Sequence, residues 1–181
     1  MKLLFWILGC GLLLSSNVGI ELDFGSEKDG TDWQTLNDGV MGGLSNGQVA
    51  LTPNALKFFG EVSLDNYGGF TSVKSPFGQY DLSNAKKLTI RYKTEGQLIS
   101  ISLENSDAFY KPYYKLLLPD TKGKWMTAEA NISDFKEYNL GQETAIAISD
   151  GFLKGVKRIG FITSEKRAGR FAVEIDYLKF E

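Results

Sequence analysis

From Ile20 onward, apolar and polar residues alternate one by one along most of the chain, and this period sets the class of fold. A strand turns successive side chains to opposite faces, so a two-residue repeat gives one wet face and one buried face. Leu88, Ile90 and Tyr92 alternate with Thr89, Arg91 and Lys93. Ile99, Ile101 and Leu103 repeat the pattern after the turn Glu95-Gly96-Gln97, which predicts a hairpin between the two runs. Phe171, Val173, Ile175 and Tyr177 do the same near the C-terminus, and shorter runs lie at 20–24, 48–51, 56–64, 70–73, 113–118, 125–132 and 158–163. Ser133–Tyr138 reads as the one helical turn, with Ser133 as its N-cap. Short strands at regular spacing, separated by Gly, Asn and Asp, predict an all-β fold, an antiparallel β-sandwich. Ile90, Ile101, Val173 and Ile175 should lie between its two sheets. With no repeat and no Pro- or Ser-rich linker, residues 19–181 read as a single domain.

The first residues have a different character. Lys2, the apolar run Leu3–Leu14 and the small polar exit Ser15-Ser16-Asn17 have the layout of a signal peptide, assigned to residues 1–18. That apolar run is shorter than the roughly 20 residues needed to span a bilayer. The expectation is an exported protein, periplasmic or extracellular. Ile7-Leu8-Gly9-Cys10 also fits a loose lipoprotein box, so membrane association is expected only if Cys10 is lipidated.

The chain contains no histidine, which removes Ser-His-Asp and Cys-His catalysis and His-ligated metals. Its single cysteine is Cys10, inside the leader, so the mature chain has no thiol nucleophile and no disulfide. A net charge of -2 gives no basic stripe for nucleic acid. Glu104, Asp107, Glu129, Glu143 and Asp150 show no spacing that marks a catalytic carboxylate pair. Asp23, Glu174 and Asp176 could offer oxygens to calcium, but no dedicated calcium loop surrounds them. The reading is a non-enzymatic protein with neither metal nor cofactor.

Two glycine-rich stretches stand out: Asp32-Trp33-Gln34-Thr35-Leu36-Asn37-Asp38-Gly39-Val40-Met41-Gly42-Gly43-Leu44-Ser45 and Asn66-Tyr67-Gly68-Gly69-Phe70. As turns they reach positive φ cheaply, yet turns alone do not need Trp, Met and Asn at fixed places. Together they resemble the complex I intermediate-associated protein 30 family, whose hallmark is a Trp followed by Asn-Asp-x-Val-Met-Gly-Gly-x-Ser. The likeness resumes at Trp125, Ile132-Ser133-Asp134-Phe135 and Ile159-Gly160-Phe161, and ends with Lys166–Phe171 and Glu174–Tyr177. The resemblance implies a galactose-binding-like jelly roll and a role resembling that of complex I assembly factors. An export leader in place of a transit peptide points instead to an assembly factor or accessory chaperone for an envelope protein complex.

The leading candidate face is therefore Trp33, Asn37, Asp38, Met41, Asn66 and Phe70, with a protein as partner. The alternative is a carbohydrate-binding module, using Tyr110, Tyr113 and Tyr114 as flat apolar platforms with polar tips.

Overall fold

The computed structural model describes residues 19–181, so the signal-peptide reading and Cys10 lie outside the described residues. In chain order the strands are β1 (Ile20–Asp23), β2 (Gln34–Asn37), β3 (Asn46–Leu51), β4 (Leu56–Val62), β5 (Thr71–Lys74), β6 (Lys87–Glu95) and β7 (Ile99–Glu104). They continue as β8 (Tyr113–Leu117), β9 (Met126–Asn131), β10 (Lys136–Asn139) and β11 (Gln142–Ala147). A short helix α1 (Asp150–Lys154) precedes β12 (Arg158–Thr163) and β13 (Gly169–Phe180).

Two sheets face each other across one core. The first runs β3-β4-β13-β6-β9, with β1 added beside the end of β13; the second runs β11-β10-β8-β7-β12-β5-β2. All strand pairs are antiparallel. The long strand β13 pairs β6 along one edge, while its other edge meets β4 through Ile175 and β1 from Tyr177 onward. The expected core residues Ile90, Ile101, Val173 and Ile175 are all buried. The β-sandwich read from the alternation is the observed fold.

The hairpin expected between the 88–92 and 99–103 runs does not form. β6 lies between β13 and β9, whereas β7 lies between β8 and β12 in the other sheet. The turn at Gly96 thus carries the chain from one sheet to the other. Both runs bury their apolar residues, and facing one another across the core does this as well as pairing side by side would. Alternation fixes which face is buried, not which strand is the neighbour. Gly96 makes the crossing possible: its φ is 87°, and a Cβ there would stand 2.2 Å from the Arg170 carbonyl oxygen. The Gln97 side-chain amide then donates to the Arg167 and Gly169 carbonyls at 2.6 and 3.2 Å.

The helical turn also sits elsewhere. A 3₁₀ turn spans Ile132–Asp134 with Asn131, not Ser133, as its N-cap, and the Asn131 N–H donates to Asp134 Oδ2 at 2.9 Å. Residues 136–139 are strand β10, whose Lys136, Glu137 and Tyr138 pair with Lys115, Tyr114 and Tyr113 of β8. The α-helix α1 begins after Ser149, whose hydroxyl accepts from the Phe152 N–H at 3.2 Å.

Candidate functional site

The two glycine-rich stretches meet at one buried carboxylate. Asp38 is almost fully covered, and its oxygens accept four hydrogen bonds. Oδ1 takes the Ser45 N–H at 3.0 Å; Oδ2 takes the Ser45 hydroxyl at 2.6 Å, the Gly69 N–H at 2.7 Å and the Phe70 N–H at 3.2 Å. Ser45 also accepts from the Ser63 N–H at 3.1 Å, so the knot extends to the end of β4. Burial alone would raise the Asp38 carboxyl, but these donors outweigh it and hold its pKa below the ordinary carboxylate value. The neighbouring glycines leave room for it. A Cβ on Gly43 would stand 2.4 Å from the Asp38 carboxyl carbon, and one on Gly68 would stand 2.7 Å from Oδ2.

Asn37 performs a related task between the sheets. It ends β2 in one sheet, and its side-chain amide pairs with the backbone of Gly47 on β3 in the other. The Gly47 N–H donates to Asn37 Oδ1 at 3.0 Å, and Asn37 Nδ2 donates to the Gly47 carbonyl at 3.3 Å. The Thr71 hydroxyl on β5 donates to the same Oδ1. Asn37 and Asp38 thus act by side chain-to-backbone bonding, which fixes loops in place of regular ladder bonds.

Trp33 does not belong to a surface. It is 4% exposed, stacks on Phe161 at 5.6 Å between centroids and meets Phe24 edge-on at 5.1 Å. Phe70 is half-buried and contributes its N–H to Asp38, while Asn66 is exposed with φ 53°. Met41 stands out from its loop, 71% exposed. Sequence reasoning missed three other side chains that emerge around the same knot: Leu44 (60% exposed), Leu64 (46%) and Tyr67 (99%). Leu44 and Tyr67 were inside the quoted motifs, and only their burial separates them from core residues. Tyr67 also follows Asn66 in the left-handed region, with φ 62°. Beside Leu44, an open cavity of about 750 Å³ runs over the outer face of β3, β4 and β13, past Phe59 and Arg170.

The tyrosines divide differently. Tyr110 is exposed in the loop before β8, and Tyr114 is buried, its hydroxyl donating to the Ala147 carbonyl at 3.1 Å. Burial, then Glu137, pushes the Tyr114 hydroxyl up to about 12, so it stays protonated and structural. Tyr113 faces outward and pairs across strands with Tyr138, a partner the sequence alone did not reveal. Their ring centroids are 6.2 Å apart with planes inclined at 33°. Lys115 reaches over this pair, its Nζ 3.8 Å from the Tyr138 centroid. These residues belong to β8 and β10, far along the second sheet from β2 and β5, so they form a separate site from the glycine loops.

Several carboxylates weighed for chemistry are bound to cations. Glu104 pairs with Lys74 at 2.5 Å, Glu129 with Lys87 at 2.6 Å, Glu174 with Lys93 at 3.0 Å and Asp176 with Arg91 at 2.5 Å.

The same sandwich occurs in solved structures. The fold is similar to a family 11 carbohydrate-binding module from Clostridium thermocellum in complex with a β-1,3-1,4-mixed-linked tetrasaccharide. That match has a TM-score of 0.64 and 18% identity, covering 91% of this chain and 96% of that one. A second structure, the family 11 module of the cellulosomal cellulase Lic26A-Cel5E from the same organism, gives 0.64 at 17% identity, covering 91% and 95%. An exo-β-agarase shares the fold at a TM-score of 0.52 and 12% identity, over 88% of this chain but 25% of its own. At such identities the likeness establishes the architecture only. Comparison with curated proteins finds no match. The family model described as complex I intermediate-associated protein 30 matches residues 22–175, a span that contains the Asn37–Asp38 clasp, both glycine loops and nearly all of both sheets. The chain belongs to the complex I intermediate-associated protein 30 family.

Proposed function

We propose that this is a non-catalytic, exported binding protein, an assembly factor or accessory chaperone for an envelope protein complex. It docks an apolar segment of its protein partner on the glycine-loop end of the sandwich. The observation that carries this reading is that Met41, Leu44, Leu64 and Tyr67, four large apolar side chains, are all exposed on the loops that meet at the buried knot. Isolated exposed apolar residues are ordinary, whereas a group on neighbouring loops marks an interaction surface. The knot gives the surface a fixed shape, so little loop entropy is lost when a partner binds. Asn66 and Tyr67 hold successive left-handed conformations, which cost about 1–3 kcal/mol each and persist where the surroundings enforce them. Family membership supports an assembly-type role, and the lack of histidine together with ion-paired carboxylates supports a role without catalysis.

The double substitution Met41→Ala and Tyr67→Ala should change unfolding free energy by less than about 0.5 kcal/mol per site, as exposed positions do. Recovery of partner proteins from a native envelope fraction should fall sharply, read by mass spectrometry. A stability loss of about 2–5 kcal/mol, the cost of truncating buried side chains, would make the motif purely structural. Undiminished recovery would move the docking face elsewhere. Export is checked separately by N-terminal sequencing, with a mature start between about residues 16 and 20 expected and a retained Met1 contradicting it.

A second reading, carbohydrate binding, is favoured by the Tyr113–Tyr138 pair, which offers two neighbouring, partly exposed rings on the outward side of the second sheet. The two family 11 modules that share the fold are carbohydrate-binding by name, which is consistent with it.

A further inference from the structure

Resting on the second of these readings, the structure assigns an anionic, linear polysaccharide to the outer face of the seven-stranded sheet. The pairing registers place Lys136, Lys115, Ser102, Gly160 and Lys74 in one row that crosses five adjacent strands, β10, β8, β7, β12 and β5. Strands lie about 4.8 Å apart, so the row is roughly 19 Å long, the scale of a short run of sugars. Two residues along, on the same face, Tyr138 and Tyr113 form a parallel aromatic row. Sugar rings laid across the strands would stack on the tyrosines, with their acid groups directed at the lysines.

Charge selects the class of sugar. Lys115 is half-buried, and burial lowers its pKa against the opposing pull of Glu143. Its Nζ stands over the Tyr138 ring, and among the described residues it has no carboxylate within ion-pair distance. A cation desolvated against aromatic faces, near Glu143 but in direct ion-pair contact with no carboxylate of the described residues, is a place for an anionic ligand group. Around it this face carries Lys74, Lys136 and Arg158 against Glu104 and Glu143, a cationic surplus on a chain of net charge -2.

The centre of the row points the same way. The Ser102 hydroxyl is buried and, among the described residues, has no hydrogen-bond partner. Opposite it is Gly160, where a Cβ would come within 2.9 Å of Ser102 Oγ and 3.0 Å of Lys74 Cγ. The row therefore keeps an unsatisfied polar group beside the Lys74 side chain, a group that a ligand hydroxyl or acid group reaching this point would satisfy.

The test is affinity electrophoresis of the full chain in gels containing polygalacturonate, dextran sulfate or a neutral mixed-linkage β-glucan. Retardation by an anionic polymer is expected, with the carboxylated and sulfated gels separating the two kinds of acid group, and the neutral polymer binding at least about tenfold more weakly. Lys115→Met and Tyr138→Ala should each weaken retention about tenfold or more with little change in unfolding midpoint, and Lys115→Arg should restore it. Retention that survives both substitutions overturns this site. Equal binding of the neutral glucan overturns the anionic assignment but keeps the carbohydrate reading. No retention by any polymer removes both, and leaves protein docking at the glycine loops untouched.

Discussion

Replacing Asp38 by Ala should cost about 3–5 kcal/mol of unfolding free energy, since it takes the acceptor away from four neutral donors at once. The loss comes less from the carboxylate than from what it leaves behind. The N–H groups of Ser45, Gly69 and Phe70 and the Ser45 hydroxyl all point at its oxygens, and each buried donor left unpaired costs about 1–3 kcal/mol, not additively. Asp38→Asn is the sharper variant, since it keeps the volume. Its amide must turn an NH₂ toward either the Ser45 N–H or the Gly69 and Phe70 N–H groups, setting donor against donor. A loss of about 2 kcal/mol or more is expected even from this near-isosteric change. The effect carries a pH signature. The folded pKa of Asp38 is lowered from its unfolded value of about 3.9, so its contribution is complete above that value and is lost as pH falls through the folded pKa. Urea midpoints of wild type and Asp38→Asn should therefore lie far apart at neutral pH and converge below about pH 4. A gap that stays constant into acid would show that the Asp38 charge does not hold the loops.

This clasp also shows why the site was only half legible in the sequence. Alternation reports the face on which a residue lies, and that was enough to identify the buried Ile90, Ile101, Val173 and Ile175. It does not report partners, so the crossing at Gly96 read as a hairpin, and the pairing of Tyr113 with Tyr138 needed the registers of β8 and β10. Strand β2 was hidden because Gln34–Asn37 sits inside a glycine-rich stretch that reads as turn. Within the motif, residue type alone did not separate inward from outward roles. Trp33, Asn37 and Asp38 turned out to build the loops, while Met41 and Tyr67 stand out from them. A polar residue placed for backbone bonding and one placed for a ligand look alike until their hydrogen bonds are known.

The same division gives the second large effect. Trp33→Ala should destabilise the chain by about 3–5 kcal/mol, as truncation of a buried aromatic does. Trp33 sits just before β2, where it joins Phe24 and Phe161 in a three-ring cluster with centroids 5.1–6.3 Å apart. Phe24 follows β1 and Phe161 lies on β12, so the indole joins the first sheet to the second, and its loss opens a cavity where the two meet. Packing that tight does not collapse around the void, which is why the cost exceeds the lost transfer energy of the ring. Trp33→Phe keeps one ring in the cluster and should cost about 1–2 kcal/mol, leaving a folded protein at room temperature. That variant should recover partner proteins as well as wild type does, because Trp33 is buried while Met41 and Tyr67 remain in place outside. Chemical unfolding and partner recovery measured on the same preparations decide the matter. If Trp33→Phe stays fully stable yet loses its partner, the tryptophan belongs to the binding face after all, and the inward role assigned to it is wrong.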